Sequence, residues 1–375
     1  MWRLALVLLV AACASPVTQP VFDPGTHGVV RLPDAGPPDA GPFDAGVPYW
    51  LTVFDDVRIQ SPNGTGVRPD AGQNLHVAAA SFSLTGTSFE RVTLVVELAT
   101  TCFPFESWSS NPPPMGHRWP ADCDAFDRNF ELELLSIDGG VDHELIRAIT
   151  PFGGPLRIEE DVTHALNFGP TGRTLQVTIP TWSDGAGQVS GANGGWNVTA
   201  RLYVVPGRPA QRVLAVVPLV DANDGPDAGR TVSFTVPTGA TSARLEYRVT
   251  GHGGGPIDPA CIGPAEEFCQ RAHHLFIDGA KVRQLTPWRS DCASLCTVAH
   301  YGNPGFDYCV ENPCGAMQSV RAPRANWCPG SVTEAIVLNE AALATPGPHS
   351  FGYVIDNVAP GGSWRVSAVL YVLGD

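Results

Sequence analysis

The strongest constraint on the fold is that the chain writes one strand pattern twice. Trp196-Asn197-Val198-Thr199-Ala200-Arg201-Leu202-Tyr203-Val204-Val205 recurs as Trp364-Arg365-Val366-Ser367-Ala368-Val369-Leu370-Tyr371-Val372-Leu373. Ile137-Asp138-Gly139 recurs as Ile277-Asp278-Gly279, and Ile149-Thr150-Pro151-Phe152 as Leu285-Thr286-Pro287-Trp288. The matches keep their order in each half, so two copies of one domain are expected, at 49–207 and 208–375. The repeated segment is short and rich in β-branched residues, as a strand is. Arg91–Leu98, Phe130–Leu134 and Leu175–Ile179 read the same way. Forty glycines and 35 prolines suit many short strands separated by turns. One helical turn is expected near Glu334–Leu343. An all-β sandwich is the class that fits.

Ahead of the repeat, Arg3 is followed by the apolar run Leu4–Ala12, which ends in Val10-Ala11-Ala12-Cys13. A positive start, a short apolar core and small residues before the cut read as a secretory signal over 1–12. The run is shorter than the ~20 residues that span a bilayer. Small residues abutting a cysteine resemble a lipobox, so Cys13 is expected to carry a lipid and to be the one membrane attachment. Segment 13–48, with Pro33-Asp34-Ala35-Gly36 and Pro38-Asp39-Ala40-Gly41, cannot bury a core and reads as a disordered tether.

Nine further cysteines fit an oxidising compartment, where they read as disulfides with one left over. Cys-x-x-Cys pairs are missing, which argues against zinc. The net charge is −14, and the only lysine is Lys281. With no basic run to follow a phosphate backbone, nucleic acid is not an expected partner.

The repeat also singles out two acids. Asp127 lies 11 residues before Asp138 (138 − 127), and Glu267 lies 11 before Asp278 (278 − 267). Pseudo-symmetric domains would bring both carboxylates to one cleft, where a pair of acids suits hydrolysis. Arg128, next to Asp127, is expected to keep that aspartate ionised or to orient a sugar oxygen. The plainer alternative is a capped turn or surface ion pair beside each cysteine.

Gly251-His252-Gly253, Ala265-Glu266-Glu267-Phe268-Cys269 with His273-His274, and Arg324-Ala325-Asn326-Trp327-Cys328-Pro329-Gly330 resemble the C-terminal half of the peptide-N-glycosidase F family. Cys123-Asp124-Ala125-Phe126-Asp127-Arg128 resembles that family's Cys-Asp-x-aromatic-Asp-Arg. The resemblance implies two tandem eight-stranded antiparallel jelly-roll β-sandwich domains with the active site between them. It implies hydrolysis of the amide between asparagine and N-acetylglucosamine in N-glycosylated proteins or glycopeptides, by a monomer, with no metal or cofactor. Asp127 would activate water and Glu267 would contact the reducing-end sugar. Arg128, Trp182, His252, Arg324 and Trp327 would line the cleft. Disulfides Cys102–Cys123, Cys261–Cys269 and Cys292–Cys328 would follow, leaving Cys296, Cys309 and Cys314 unassigned.

Four departures from the family pattern touch the same cleft. Pro180-Thr181-Trp182 stands where the family has Glu-x-Trp, and Thr250 where it has tryptophan. The stretch from Cys102 to Cys123 is longer, and the segment from Cys296 to Cys314 is additional. They support a second reading, a non-catalytic carbohydrate-binding lipoprotein in which Trp182, Trp288 and Trp327 stack on sugars. A third reading, a copper-binding monooxygenase-like protein, would use His252, His273 and His274. An adjacent pair on a strand points to opposite faces, which argues against it. Gly-x-Ser-x-Gly is missing, so a nucleophile-elbow hydrolase is set aside.

Overall fold

The structure is a computed structural model that describes residues 30–31, 46–60, 76–180, 184, 186–254, 261–302 and 304–375. Cys13, Trp182 and most of the expected tether lie outside the described residues. Within that segment, Val30–Arg31 (β1) pairs in parallel with Ala78 and Ala79.

The first half supplies β2 (Tyr49–Gln60), β3 (Val77–Ser83), β4 (Phe89–Ala99), β5 (Asn129–Leu134), β6 (His143–Ile149), β7 (Leu156–Asp161), β8 (Gly172–Thr178) and β9 (Gly195–Pro206). The second half supplies β10 (Arg212–Asp224), β11 (Gly229–Val236), β12 (Ser242–Gly253), β13 (His273–Ile277) and β14 (Ala280–Leu285). There follow β15 (Val298–Gly302), β16 (Gly305–Cys309), β17 (Ser331–Val332), β18 (Ile336–Leu338), β19 (Gly347–Ile355) and β20 (Gly362–Gly374). The Glu334–Leu343 segment, expected as a helical turn, instead pairs Ile336–Leu338 with β12 and ends in the 3-10 turn Ala341–Ala344.

Each half builds two sheets in the same order. The first has β2-β9-β4-β7 and β3-β8-β5-β6, and the second has β10-β20-β12-β18 and β11-β19-β13-β14. The repeated segments are therefore β9 and β20, each an inner strand of its sheet. Their tryptophans, Trp196 and Trp364, are fully buried in the two separate cores. The Ile-Asp-Gly repeats close the hairpins β5–β6 and β13–β14. Gly139 (φ 77°) and Gly279 (φ 75°) supply the left-handed backbone those turns require. The fold is the expected pair of eight-stranded antiparallel jelly rolls.

Val213, Val369, Tyr371 and Leu373 of the second half are buried in the core of the first, and polar contacts lie beside this apolar junction. β17 adds to the edge of β6, with Ser331 opposite Ile149 and Val332 opposite Ala148. Beside that seam, Arg365 of β20 holds Glu131 (2.8 Å) and Glu133 (3.2 Å) of β5, and also Asp221 of β10. Arg147 of β6, fully buried, grips Glu144 at 2.7 and 2.9 Å and donates to the carbonyls of Arg248 (3.3 Å) and Arg365 (2.5 Å). Ser367 donates to the same Glu144 carboxylate. Four carboxylates thus share two guanidiniums. Burial alone would raise Glu131, but Arg365 holds it at about 2. Glu133 goes the other way, pushed well up by burial and by the charges of Asp221 and Glu131.

Two predictions follow from this seam. Removing the cation with Arg365→Leu strands buried carboxylates and should destabilise the protein by about 3–5 kcal/mol in denaturant melts. The raised folded-state pKa of Glu133 contributes stability that is complete below its unfolded value, near ~4.3, and is lost as pH rises through the folded value. Glu133→Gln should therefore melt close to the parent at pH ~5 and gain on the order of 1–2 kcal/mol at pH ~8. A parent and variant that track together across that range would contradict the assignment.

Candidate active site

In each half a buried acid fixes a turn and leaves a second acid facing the cleft. The Cys102–Cys123 disulfide ends one residue before Asp124, which is fully buried. Its carboxylate accepts from the Phe126 amide (3.0 Å) and from Arg128 Nε (3.3 Å), and Arg128 also lies over the Phe126 ring at 4.9 Å. Burial pushes Asp124 up to about 6 against the pull of Arg128. Thr150, from the repeated Thr-Pro motif, accepts from the Arg128 amide (2.8 Å) and donates to the Phe126 carbonyl (3.2 Å). The turn so fixed presents Asp127.

In the second half the Cys261–Cys269 disulfide spans the 3-10 turn Glu266–Phe268. Glu266 is fully buried and takes hydrogen bonds from Arg271 (2.7 and 2.9 Å), Trp364 Nε1 (2.9 Å) and the Ala359 amide (3.1 Å). Glu267, the next residue, is the one that projects outward. Its carbonyl accepts from the Ala325 amide at 2.7 Å, which ties the turn to the segment carrying Arg324.

Arg324 joins the two acids. It is 1% exposed, and Nη1 donates to Glu267 at 2.7 Å while Nη2 lies 3.7 Å from Asp127. Nη2 also donates to the Ser319 carbonyl (3.0 Å) and hydroxyl (2.9 Å). The guanidinium sits 4.4 Å from the Trp327 ring centre and 4.7 Å from that of Phe268. Cys292–Cys328 and the left-handed Asn326 (φ 68°) hold this segment in shape.

The acids keep 20% and 24% side-chain exposure. Burial, and after it the attraction of Arg324 and the charge of Asp127, leaves Glu267 raised to about 7. Asp127 is also raised by burial, against the pull of Arg324 and Arg128. Arg128, whose guanidinium is engaged with Asp124, pulls Asp127 toward its ionised form, and desolvation outweighs that pull. Two acids raised by one shared environment titrate as a pair.

His252 stacks on Trp327 (5.5 Å between centres) and bonds Thr250 Oγ1 at 2.7 Å. Burial pushes it down to about 3, so it is neutral. Trp327 is 2% exposed, with its Nε1 on the Gly251 carbonyl at 2.9 Å. It therefore supports Arg324 and His252 and offers no face to a sugar, a correction to its expected stacking role. Ser319, Phe268, Asp124 and Glu266 escaped the sequence reading. Glu266 and Phe268, on either side of Glu267, and Asp124 stand inside the matched motifs, whereas Ser319 carried no signal.

The histidines of the copper reading do not converge. His273 is buried against Tyr247 Oη (2.9 Å), and His274 turns the other way to Asp356 (2.8 Å). The expected disulfides form, Cys296 pairs with Cys309, and Cys314 keeps a thiol. A cavity of about 350 Å³ lined by Arg289, Leu295, Asn326, Ser331, Val332 and Glu334 contains neither acid.

Residues 223–371 match the family profile described as peptide-N-glycosidase F, C terminal. No curated protein matches the chain by sequence. Among solved structures, a peptide-N(4)-(N-acetyl-beta-D-glucosaminyl)asparagine amidase superposes with a TM-score of 0.63 at 19% identity, covering 88% of this chain and 96% of that one. PNGase F, a glycosylasparaginase from Flavobacterium meningosepticum, superposes at 0.61 with 18% identity, covering 88% and 96%. PNGF-II superposes at 0.61 with 19% identity over 87% of this chain and 65% of its own length. Residues 223–371 thus belong to the peptide-N-glycosidase F family, and the chain as a whole has the fold of that enzyme.

Proposed function

We propose that the chain is an N-glycan amidase, exported and held to the cell envelope through a lipid on Cys13. The observation that carries the reading is the single buried Arg324 shared by Asp127 and Glu267, one acid from each sandwich. The substrate is an N-glycosylated protein or glycopeptide. Water adds to the asparagine amide carbon as Asp127 accepts its proton, and the carbon–nitrogen bond then breaks as the leaving nitrogen takes a proton up. The products are aspartate in the peptide and a glycosylamine that goes on to lose ammonia to water. Glu267, raised to about 7 by burial, is partly protonated at neutral pH and in that form can donate to the reducing-end sugar. Arg324 limits that rise and keeps the two carboxylates at fixed separation.

The direct test is mass spectrometry of an N-glycopeptide incubated with the protein. A free glycan and an asparagine converted to aspartate, about one dalton heavier, establish the amidase. Intact glycopeptide across high-mannose and complex substrates would instead favour the carbohydrate-binding reading, with Pro180 in place of the family's acid as its cause. Asp127→Asn should keep the parent melting temperature and lose about 10²–10⁴-fold in rate, as removal of a general base does. A stable, active variant would remove Asp127 from the chemistry.

The pH profile of kcat/KM is expected to be bell-shaped. Its acid limb comes from protonation of Asp127, and its alkaline limb from loss of the Glu267 proton near pH 7. Glu267→Gln should lose most of the rate, and what remains should lack the alkaline limb. A variant whose alkaline limb persists would exclude Glu267 as its source.

A further inference from the structure

The two segments that exceed the family pattern meet. The Cys102–Cys123 loop carries Phe103, Phe105 and Trp108, and the β15–β16 hairpin carries Tyr301, Phe306 and Tyr308. Phe105 is buried at their centre, 4.8 Å from Tyr301, 5.0 Å from Tyr308, 5.1 Å from Trp108 and 5.7 Å from Phe306. Phe103 adds an edge contact to Phe105 at 5.4 Å and lies 6.1 Å from Tyr308. Sealing this junction needs Phe105 alone. The five rings around it stay partly exposed, with Phe306 45% open, and a cluster of exposed rings marks a binding surface.

Both segments are tethered to the acids. The loop's closing Cys123 is four residues from Asp127 (127 − 123). The hairpin's Cys309 touches Met317 at 3.4 Å, at the start of the short helix Met317–Val320, whose Ser319 holds Arg324. We propose that this aromatic surface is an outer sugar subsite, which stacks on a distal residue of the N-glycan while the reducing end lies at Asp127 and Glu267. The surface is linked to the site through Cys123 on one side and Met317 and Ser319 on the other, and its rings are inclined 56–65° to Phe105, as rings that can meet the apolar face of a pyranose are. Exposed carboxylates lie beside them, Glu106 on the loop and Asp307, paired with His300 at 2.8 Å, on the hairpin, to accept sugar hydroxyls. The identity of the sugar chain rests on the amidase reading, whereas the surface itself does not.

The test separates the two. Asp127→Asn protein is titrated calorimetrically with a full high-mannose glycopeptide, the released glycan, and the same peptide bearing only the core disaccharide. Adding Phe306→Ala should weaken the first two ligands roughly three- to tenfold and leave the third unchanged. Phe306→Trp should restore them. The proposal fails if all three ligands weaken together, if none does, if the released glycan does not bind, or if the loss follows the peptide instead. Phe306 is half exposed on a hairpin closed by Cys296–Cys309, so matched melting curves are expected for the variants. Cleavage of the disaccharide glycopeptide by the unmodified protein reports separately on the amidase. If that fails while the glycan still binds through Phe306, the subsite stands and the chemistry does not.

Discussion

Everything in the candidate site depends on having to compensate one buried guanidinium. Arg324 is almost wholly shielded from water, and such a charge is tolerable only where carboxylates and carbonyls meet its donors. Glu267 meets it directly and Ser319 takes the other arm, while Asp127 approaches from the opposite sandwich. The rings of Trp327 and Phe268 close its faces, which removes water and strengthens every charge interaction inside. The same dehydration raises both acids. One constraint thereby sets the positions and the proton affinities of the groups proposed to do the chemistry.

Sharing of Arg324 requires the two sandwiches to be fixed against each other. The apolar part of the seam, where Val213, Val369, Tyr371 and Leu373 enter the first core, is non-directional. The polar contacts beside it add direction: Arg365 reaches across to Glu131 and Glu133, and Arg147 reaches back to two carbonyls of the second half. Buried ion pairs of this kind add little net stability, but breaking one partner is costly, so they act as registers. The register sits on β5, the strand that follows directly after Asp127 and Arg128. A shift of the interface would therefore move Asp127 relative to Arg324.

The fold was legible because the repeat is written in local residues. The Trp-headed strand, the Ile-Asp-Gly turn and the Thr-Pro step each act within their own half, and each recurs at its equivalent place. The paired acids were legible for the same reason, since equal spacing from the turn placed Asp127 and Glu267 alike. What could not be read is what depends on partners distant in sequence. Arg128 sits beside Asp127 in the chain, yet its guanidinium serves Asp124. Trp327 belongs to a motif that lines a cleft, yet its neighbours Gly251, His252 and Arg324 cover it entirely. Nor does sequence show that Glu133 is the surplus carboxylate of the seam, because its crowding is set by Asp221 and Arg365 from the other half.

The departures from the family pattern also acquire a common sense in three dimensions. Thr250 replaces a tryptophan, and its hydroxyl bonds His252, which then lies flat on Trp327 and carries no charge. On the other side, the lengthened Cys102–Cys123 loop and the additional hairpin bring in seven aromatic residues, joined to Arg324 through Cys309, Met317 and Ser319. Aromatic surface is added away from Asp127 and Glu267. Binding energy drawn from a distal part of a substrate can position the bond to be cut without tightening the ground state at the reacting centre. The two acids and their arginine stay together while the surroundings differ from the family pattern, an arrangement that fits the amidase proposed above.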